Sequence, residues 1–400
     1  MKRNILIMII LISFLIILSG CWNRRELNEL AIVMGMGIDK SEDQFVVTAQ
    51  VVIPGEIAKK GGGGGKTPVV VYQEKGETIF QAIRKITTES PRKLYFAHQR
   101  ILVLGEEFAK EGIGKALDFL SRDPELRTDF YIVVAKDSKA GDVLKVLTQL
   151  EDIPANQLFS SLESAEKAWA PTVTVTLDKL ITDLVSDGID PVLTGITLKG
   201  DVKTGETKQN IEVTSAPTIL KYNEMALFNN DKLIGWLNDQ DSRAVHYATG
   251  KVKSTLGVIP CPKTGKIGIE VMRTKADIKA KVKNGEPKGS IKVQIEGNVA
   301  DVECRGLDLK KTKTIYDLEK ISEKDVKESI QSAIEVTQKE FQSDVFGFGE
   351  ALHRSDPAYW KKVKKEWGQK FSEMPVTVEI DVKIRQTGTI GNSPLNEIEE

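Results

Sequence analysis

The residue whose surroundings define a reaction most sharply is Cys21. Lys2 and Arg3 form a short positive segment, Ile5 to Leu18 is apolar apart from Ser13, and small Ser19 and Gly20 directly precede the cysteine. That order is a secretory leader, ending in the pattern a lipoprotein signal peptidase cleaves. The thiol must stand here because its sulfur receives the diacylglyceryl group, and small residues before it let an extended backbone enter the peptidase. The apolar run is shorter than the ~20 residues a membrane-spanning helix needs, so we read the leader as cleaved rather than kept as an anchor. Two acyl chains hold stably, each buried methylene contributing ~0.8 kcal/mol. The expectation is an extracytoplasmic protein, tethered to a cell membrane through S-diacylglyceryl-Cys21, whose amine is open to N-acylation.

Other spacings that could carry chemistry fall short of it. Gly61–Gly65 with Lys66-Thr67 imitates a phosphate-binding loop, but Lys60 stands where its first glycine belongs and extended sequence follows instead of a helix. We read it as a mobile loop. Gly35-Met36-Gly37 and Gly347-Phe348-Gly349 lack the third glycine of a dinucleotide fingerprint, with Lys40 and Leu352 in its place. The first pair is read as close packing of a strand, the second as a bend after a long helix. Ser90 to Lys93 and Ser164 to Lys167 match SxxK, and Lys203-Thr204-Gly205 and Lys263-Thr264-Gly265 match KTG. A serine acylase also needs an SxN element between them, and none lies between Lys93 and either KTG. His98, His246 and His353 are the only histidines and form no metal-ligand spacing. We expect no catalytic residue, no metal and no cofactor.

Fifty-six Lys and Arg stand against 57 Asp and Glu; loss of Lys2 and Arg3 with the leader leaves 54 against 57, a net charge of −3. A nucleic-acid-binding protein would be strongly basic. Cys261 and Cys304 are the remaining cysteines. A disulfide between them is permitted outside the cell, but one bridge does little for a domain of this size, and we expect two separate buried thiols.

The elements that must position these residues follow from periodicity. Ala31 to Asp39 and Phe45 to Ile53 read as a hairpin, Val69 to Tyr72 as a strand, and Thr78 to Thr88 as a helix with Ile79, Ala82, Ile83 and Ile86 on one face. Leu94 to Leu104 and Phe130 to Ala135 read as strands. Glu106 to Leu120, Ala140 to Leu150, Leu158 to Trp169 and Leu177 to Val185 read as helices. From about Pro191 the pattern turns to short alternating strands, with Lys283-Asn284-Gly285-Glu286 a hairpin turn. A long helix is predicted from Ser322, capped by its hydroxyl and boxed by Asp325, burying Val326, Ile330, Ala333, Ile334, Thr337 and Phe341. Tyr359 to Trp367 predicts a basic amphipathic helix whose Trp360, Val363, Trp367 and Phe371 cover a sheet while its lysines stay solvated. Pro375 to Arg385 is a last strand. The fold class is α+β: mixed α/β domains, the C-terminal part an antiparallel sheet covered by helices.

Several segments together resemble the C subunit of nutrient germinant receptors, the Ger(x)C family of spore germination lipoproteins. They are Gly20-Cys21-Trp22-Asn23-Arg24-Arg25-Glu26-Leu27; Gly37-Ile38-Asp39-Lys40; His98 to Glu107 with Gly112-Ile113, Asp118-Phe119-Leu120 and Arg122-Asp123-Pro124-Glu125; and Asp344 to Arg354 with Tyr359-Trp360 and Trp367. The resemblance implies a lipoprotein on the outer face of the spore inner membrane, built of several α+β domains. It implies partnership with two integral-membrane subunits, an A-type and a transporter-like B-type, in sensing nutrients, with no enzymatic chemistry. We expect a leader at 1–20, an N-terminal germination-protein domain at 21–198 with the glycine loop at 59–67, a connecting region at 199–222, a C-terminal germination-protein domain at 223–392 and a tail at 393–400. A lipid-anchored solute-binding protein is the alternative, and its usual doubly wound parallel lobes sit poorly with the antiparallel C-terminal half.

Overall fold

Leu30–Ser41 is apolar on both faces, and such a strand is stable only between two covering layers. It forms β1, near the middle of a nine-stranded sheet. The computed structural model describes residues 26–58, 66–262 and 264–388, together with 4, 5 and 8. The strands are β2 (Gln44–Val52), β3 (Val69–Gly76), β4 (Lys93–Tyr95), β5 (Ile101–Gly105), β6 (Tyr131–Lys136), β7 (Val192–Lys199), β8 (Ile219–Asn229) and β9 (Lys232–Leu237). They are ordered β3-β2-β1-β5-β6-β7-β8-β9, with β4 beside the start of β1. The four central strands β1, β5, β6 and β7 run parallel. Hairpin partners add antiparallel at both flanks.

Alternate residues of these strands feed two cores. Met34, Ile101, Val103, Val133 and Ala135 pack beneath the helices Ala140–Lys145 and Pro154–Ala168. Met36, Ile38, Leu102, Leu104, Ile132 and Val134 face the helices Ile79–Ile86, Gly114–Arg122 and Leu177–Val185. The second core continues into the C-terminal half through the helix Asp239–Ala248, which touches β8 as well as the second sheet. That sheet is ordered β10 (Thr255–Pro260), β11 (Lys266–Lys283), β12 (Glu286–Val302), β13 (Val376–Gln386). One face lies under the helix Thr312–Val336, the π turn Thr337–Phe341 and the helices Phe348–Ser355, Pro357–Val363 and Trp367–Glu373. The fold is α+β with sheets of mixed orientation. β10, β11 and β12 are antiparallel, whereas β13 returns through the helices and joins β12 in parallel.

Four local expectations are corrected. Leu94 to Leu104 is two strands, because its first half pairs with the start of β1 and its second with a later stretch; the chain turns between them at Phe96–Gln99. The helix read over Glu106 to Leu120 breaks at Gly112, whose φ of +132° no helix tolerates. The helix from Ala140 stops at Lys145, and Leu147 instead donates its N–H to the Gly205 carbonyl. Finally, Ser322 caps nothing: the long helix begins ten residues earlier at Thr312, and the Ser322 hydroxyl donates to the Leu318 carbonyl inside it. The cause is a second apolar patch, where Leu318 with Ile315 and Ile321 packs on Ile267, Ile269 and Val299.

Cys261 and Cys304 are joined in a disulfide with Cα atoms 5.7 Å apart, which overturns the expectation of two free thiols. Cys261 follows β10 and Cys304 follows β12, so both lie at the same end of the second sheet once the β11–β12 hairpin forms. Only that pairing brings residues 43 positions apart into reach.

Candidate functional site

Cys21 and the glycine run Gly61–Gly65 lie outside the described residues. The described chain comes in at Glu26, turns through Leu27–Glu29 and enters β1 at Leu30. Beside that point, Leu30 and Ala31 pair with Lys93 and Leu94. Lys93 and Leu94 line a groove of about 510 Å³ between the helices Ile79–Ile86 and Gly114–Arg122. Phe80, Ile83, Phe96 and Phe119 supply its apolar wall, and Phe80 stays 46% exposed. Arg84 stacks over Phe80 at 4.8 Å, Arg122 pairs with Asp118 at 2.8 Å, and Lys93 pairs with Glu125 at the rim. Periodicity placed Ile79, Ala82, Ile83 and Ile86 inward but carried no signal that Phe80, off that stripe, would meet Phe119 across a groove.

The glycine and aspartate motifs are spent on packing. A Cβ on Gly37 would lie 3.2 Å from Ala140, and one on Gly35 would lie 2.9 Å from Leu144, so both glycines admit the helix Ala140–Lys145 against β1. Asp39, two residues on, accepts the N–H groups of Ala140 and Gly141 at 2.8 and 2.9 Å. Burial raises its pKa despite these donors.

The second motif builds the seam between the two halves. Asp344 is buried, and one carboxylate oxygen accepts from the backbone N–H groups of Phe346, Gly347 and Phe348. Its other oxygen accepts from Gly349 N–H at 2.8 Å and Trp367 Nε1–H at 2.9 Å. Burial pushes the carboxyl up to about 6 against these donors. Asp344 and Asp190 exchange bonds: the Asp344 N–H donates to the Asp190 carboxylate, and the Asp190 N–H donates to the Asp344 carbonyl, both at 2.9 Å. Gly188 accepts from Glu350 N–H, and a Cβ on Gly349 would sit 2.5 Å from Gly188 Cα. Gly347 has φ +82°, which favours glycine where the bend starts the next helix. A polar cleft of about 540 Å³ opens along this seam, lined by Ser186, Asp187, Asn229, Gln342, Lys364 and Glu366 among others. Sequence reasoning assigned no role to Asp190 and Gly188, because their partners stand more than 150 positions away.

The catalytic look-alikes do not converge. Ser90 Oγ donates to the Arg92 carbonyl, Lys93 pairs with Glu125, and Lys203-Thr204-Gly205 is a helical turn capped by Asp201. Of the second KTG, Lys263 lies outside the described residues. His98 packs edge-on against Tyr95, and His353 stacks on Trp360. His246 is buried against the Ala170 carbonyl, and burial lowers its pKa to about 4. Among the described residues no group of three or more His, Cys, Asp or Glu could hold a metal, and no helix is long and apolar enough to cross a membrane. The basic helix is two helices with a 3-10 turn between them. Trp360, Trp367 and Phe371 are buried on the sheet, while Lys361, Lys362, Lys364 and Lys365 face solvent.

Residues 23–198 match the family described as "Spore germination protein N-terminal domain", and residues 223–388 match "Spore germination B3/GerAC like, C-terminal". The chain belongs to the spore germination protein family of the GerAC type. Spore germination protein KC of Bacillus subtilis is 32% identical over 99% of this chain and 98% of its own length. Spore germination protein B3 of the same organism is 24% identical over 96% and 98%. The crystal structure of the GerBC protein superposes with a TM-score of 0.55 at 20% identity, covering 88% of this chain and 96% of that one, and shares its fold. Two of the segments that carry the family resemblance, Gly37 to Lys40 and Asp344 to Arg354, are those whose aspartates organise a buried turn or helix start.

Proposed function

We propose that the mature protein, 21–400, is the lipid-anchored, non-catalytic subunit of a spore nutrient germinant receptor. Its anchor is the diacylglyceryl thioether on Cys21, on the outer face of the spore inner membrane, and it works with two integral-membrane subunits, one of them transporter-like. The observation that carries this reading is the lipobox-like Leu18-Ser19-Gly20-Cys21 at the head of a chain that matches spore germination proteins almost from end to end. A non-catalytic role is supported by the fate of two buried carboxylates, Asp39 and Asp344, whose oxygens are taken up by backbone donors and, for Asp344, by the Trp367 indole N–H as well. Such a subunit contributes by binding one receptor conformation more tightly than another, because only differential affinity shifts an equilibrium.

Labelling with a radioactive fatty acid tests the anchor: Cys21→Ala should incorporate none, and full incorporation would refute the lipobox reading. Spores lacking the gene should lose their response to part of a nutrient panel, and an unchanged response to every nutrient would refute the receptor role. Calorimetry of the purified protein with the effective nutrient should give no saturable heat; a micromolar constant would restore the solute-binding alternative.

A further inference from the structure

A group of lysines of the C-terminal half stands at the end of the molecule where β1 begins. β1, β5, β6 and β7 are parallel and begin on one edge of the first sheet; Val192 is level with Gly35 three strand spacings away, and Leu30 lies five residues further out along β1, ~22 Å from Val192. The segment just before β7 carries Asp187, which pairs with Lys364 at 2.8 Å, and Gly188, which bonds Glu350. The turn that holds Lys364 is therefore docked at the edge from which the chain leads back to Cys21. Four residues lie between Cys21 and Glu26, a span of five steps and at most ~18 Å.

Next to this turn stands the tip of the β11–β12 hairpin. Tyr359 OH donates to the Gly285 carbonyl at 3.2 Å, and Lys370 pairs with Glu286 at 3.3 Å. Exposed Lys281, Lys283 and Lys288 on the hairpin thus lie beside exposed Lys361, Lys362 and Lys365. Lys281 and Lys288 are cross-strand partners, an arrangement of like charges that weakens a hairpin unless an anion lies against it. Of the acids nearby, Glu286 and Asp187 are held by Lys370 and Lys364, Asp356 caps its helix through the Tyr359 N–H, and Glu366 and Glu373 remain against the lysines.

We propose that this lysine face rests on the anionic phospholipid surface that holds the Cys21 anchor, fixing the orientation of the protein on the membrane. The inference deepens the lipid-anchor reading above and rests on it. The charged face meets the headgroups while Trp360 and Trp367 stay in the core, so no aromatic inserts. Basic residues beside an anchor add to its hold on an anionic leaflet, and one chain-borne anchor plus a basic patch defines a single orientation.

The test uses the full lipidated protein reconstituted on vesicles of phosphatidylcholine alone or mixed with phosphatidylglycerol, with lysine acetylation rates read by mass spectrometry. Lys281, Lys283, Lys288, Lys361, Lys362 and Lys365 should react about fivefold more slowly on the anionic vesicles. Lys199 and Lys221, at the opposite edge of the first sheet, should not change. The difference should vanish near ~1 M salt, where the screening length is ~3 Å. Protein that stays on both vesicle types yet labels equally overturns this inference alone. Protein that leaves both overturns the anchor and the inference with it. Protection found only in spore membranes and not on anionic vesicles would assign the face to an acidic protein and overturn lipid as its occupant. The variant carrying Lys281→Glu, Lys283→Glu and Lys288→Glu, all exposed positions, should lose the protection of Lys361 and Lys362 while its unfolding curve stays in place.

Discussion

Replacing Asp344 with asparagine should loosen the seam between the two halves. The carboxylate accepts five N–H groups, three on one oxygen and two on the other. Asparagine keeps one carbonyl oxygen and turns the other into a donor. In its better orientation the new NH2 faces Gly349 N–H and Trp367 Nε1–H, and two buried donors lose their acceptor. Each such group costs ~1–3 kcal/mol, so the variant should lose about 4 kcal/mol of stability. At ~2–4 °C per kcal/mol for a chain of this kind, the melting temperature should fall by roughly 10 °C. Guanidinium unfolding followed by tryptophan fluorescence reports on this region directly, since Trp360 and Trp367 pack together 5.2 Å apart in the same core. Trp367→Phe removes one donor and keeps an aromatic ring, and should cost less than half as much. An asparagine variant within about 1 kcal/mol of the parent would refute the argument, since it would mean that the carboxylate does not hold the turn.

Three further expectations are independent of this one. The His246 pKa is lowered from 6.5 to about 4 by burial, so the folded state resists its protonation; the stability it contributes is complete above pH 6.5 and should fall by about 3 kcal/mol as the pH drops to 4, a dependence that His246→Gln should flatten in pH-dependent denaturation. Reducing Cys261–Cys304 opens a loop of 43 residues and should lower the stability of the second sheet by about 2–4 kcal/mol, and denaturation midpoints that coincide with and without reductant would contradict that. Shortening Gly61–Gly65 to two glycines should move the melting temperature by less than ~5 °C, because closure entropy changes slowly with loop length; a larger fall would mean that the run makes contacts.

Where the determining interactions are local, the residues announced the structure. Asn284 and Gly285 take positive φ values of 55° and 81°, which is the two-residue turn their types favour between alternating strands. Thr78 accepts the Gln81 N–H at the start of a helix whose Ile79, Ala82, Ile83 and Ile86 all point inward. Leu177–Val185 is helical over the span its periodicity predicted. The family could be recognised for the same reason, because motifs such as Gly37-Ile38-Asp39-Lys40 are contiguous in the chain. What tertiary structure alone decided involves partners far apart in sequence. Leu318 extends the long helix back to Thr312 because Ile267 and Val299 wait across the sheet. β13 joins β12 in parallel only after the helices carry it around, and Glu319 and Glu323 then accept the Ile384 and Val382 N–H groups on the free edge of that strand. Cys261 and Cys304 meet because two strands pair between them, and Asp344 finds Asp190 because both halves dock. A pairing over 40 or 150 residues is set by the packing of whole layers, and no local pattern of residue types encodes it.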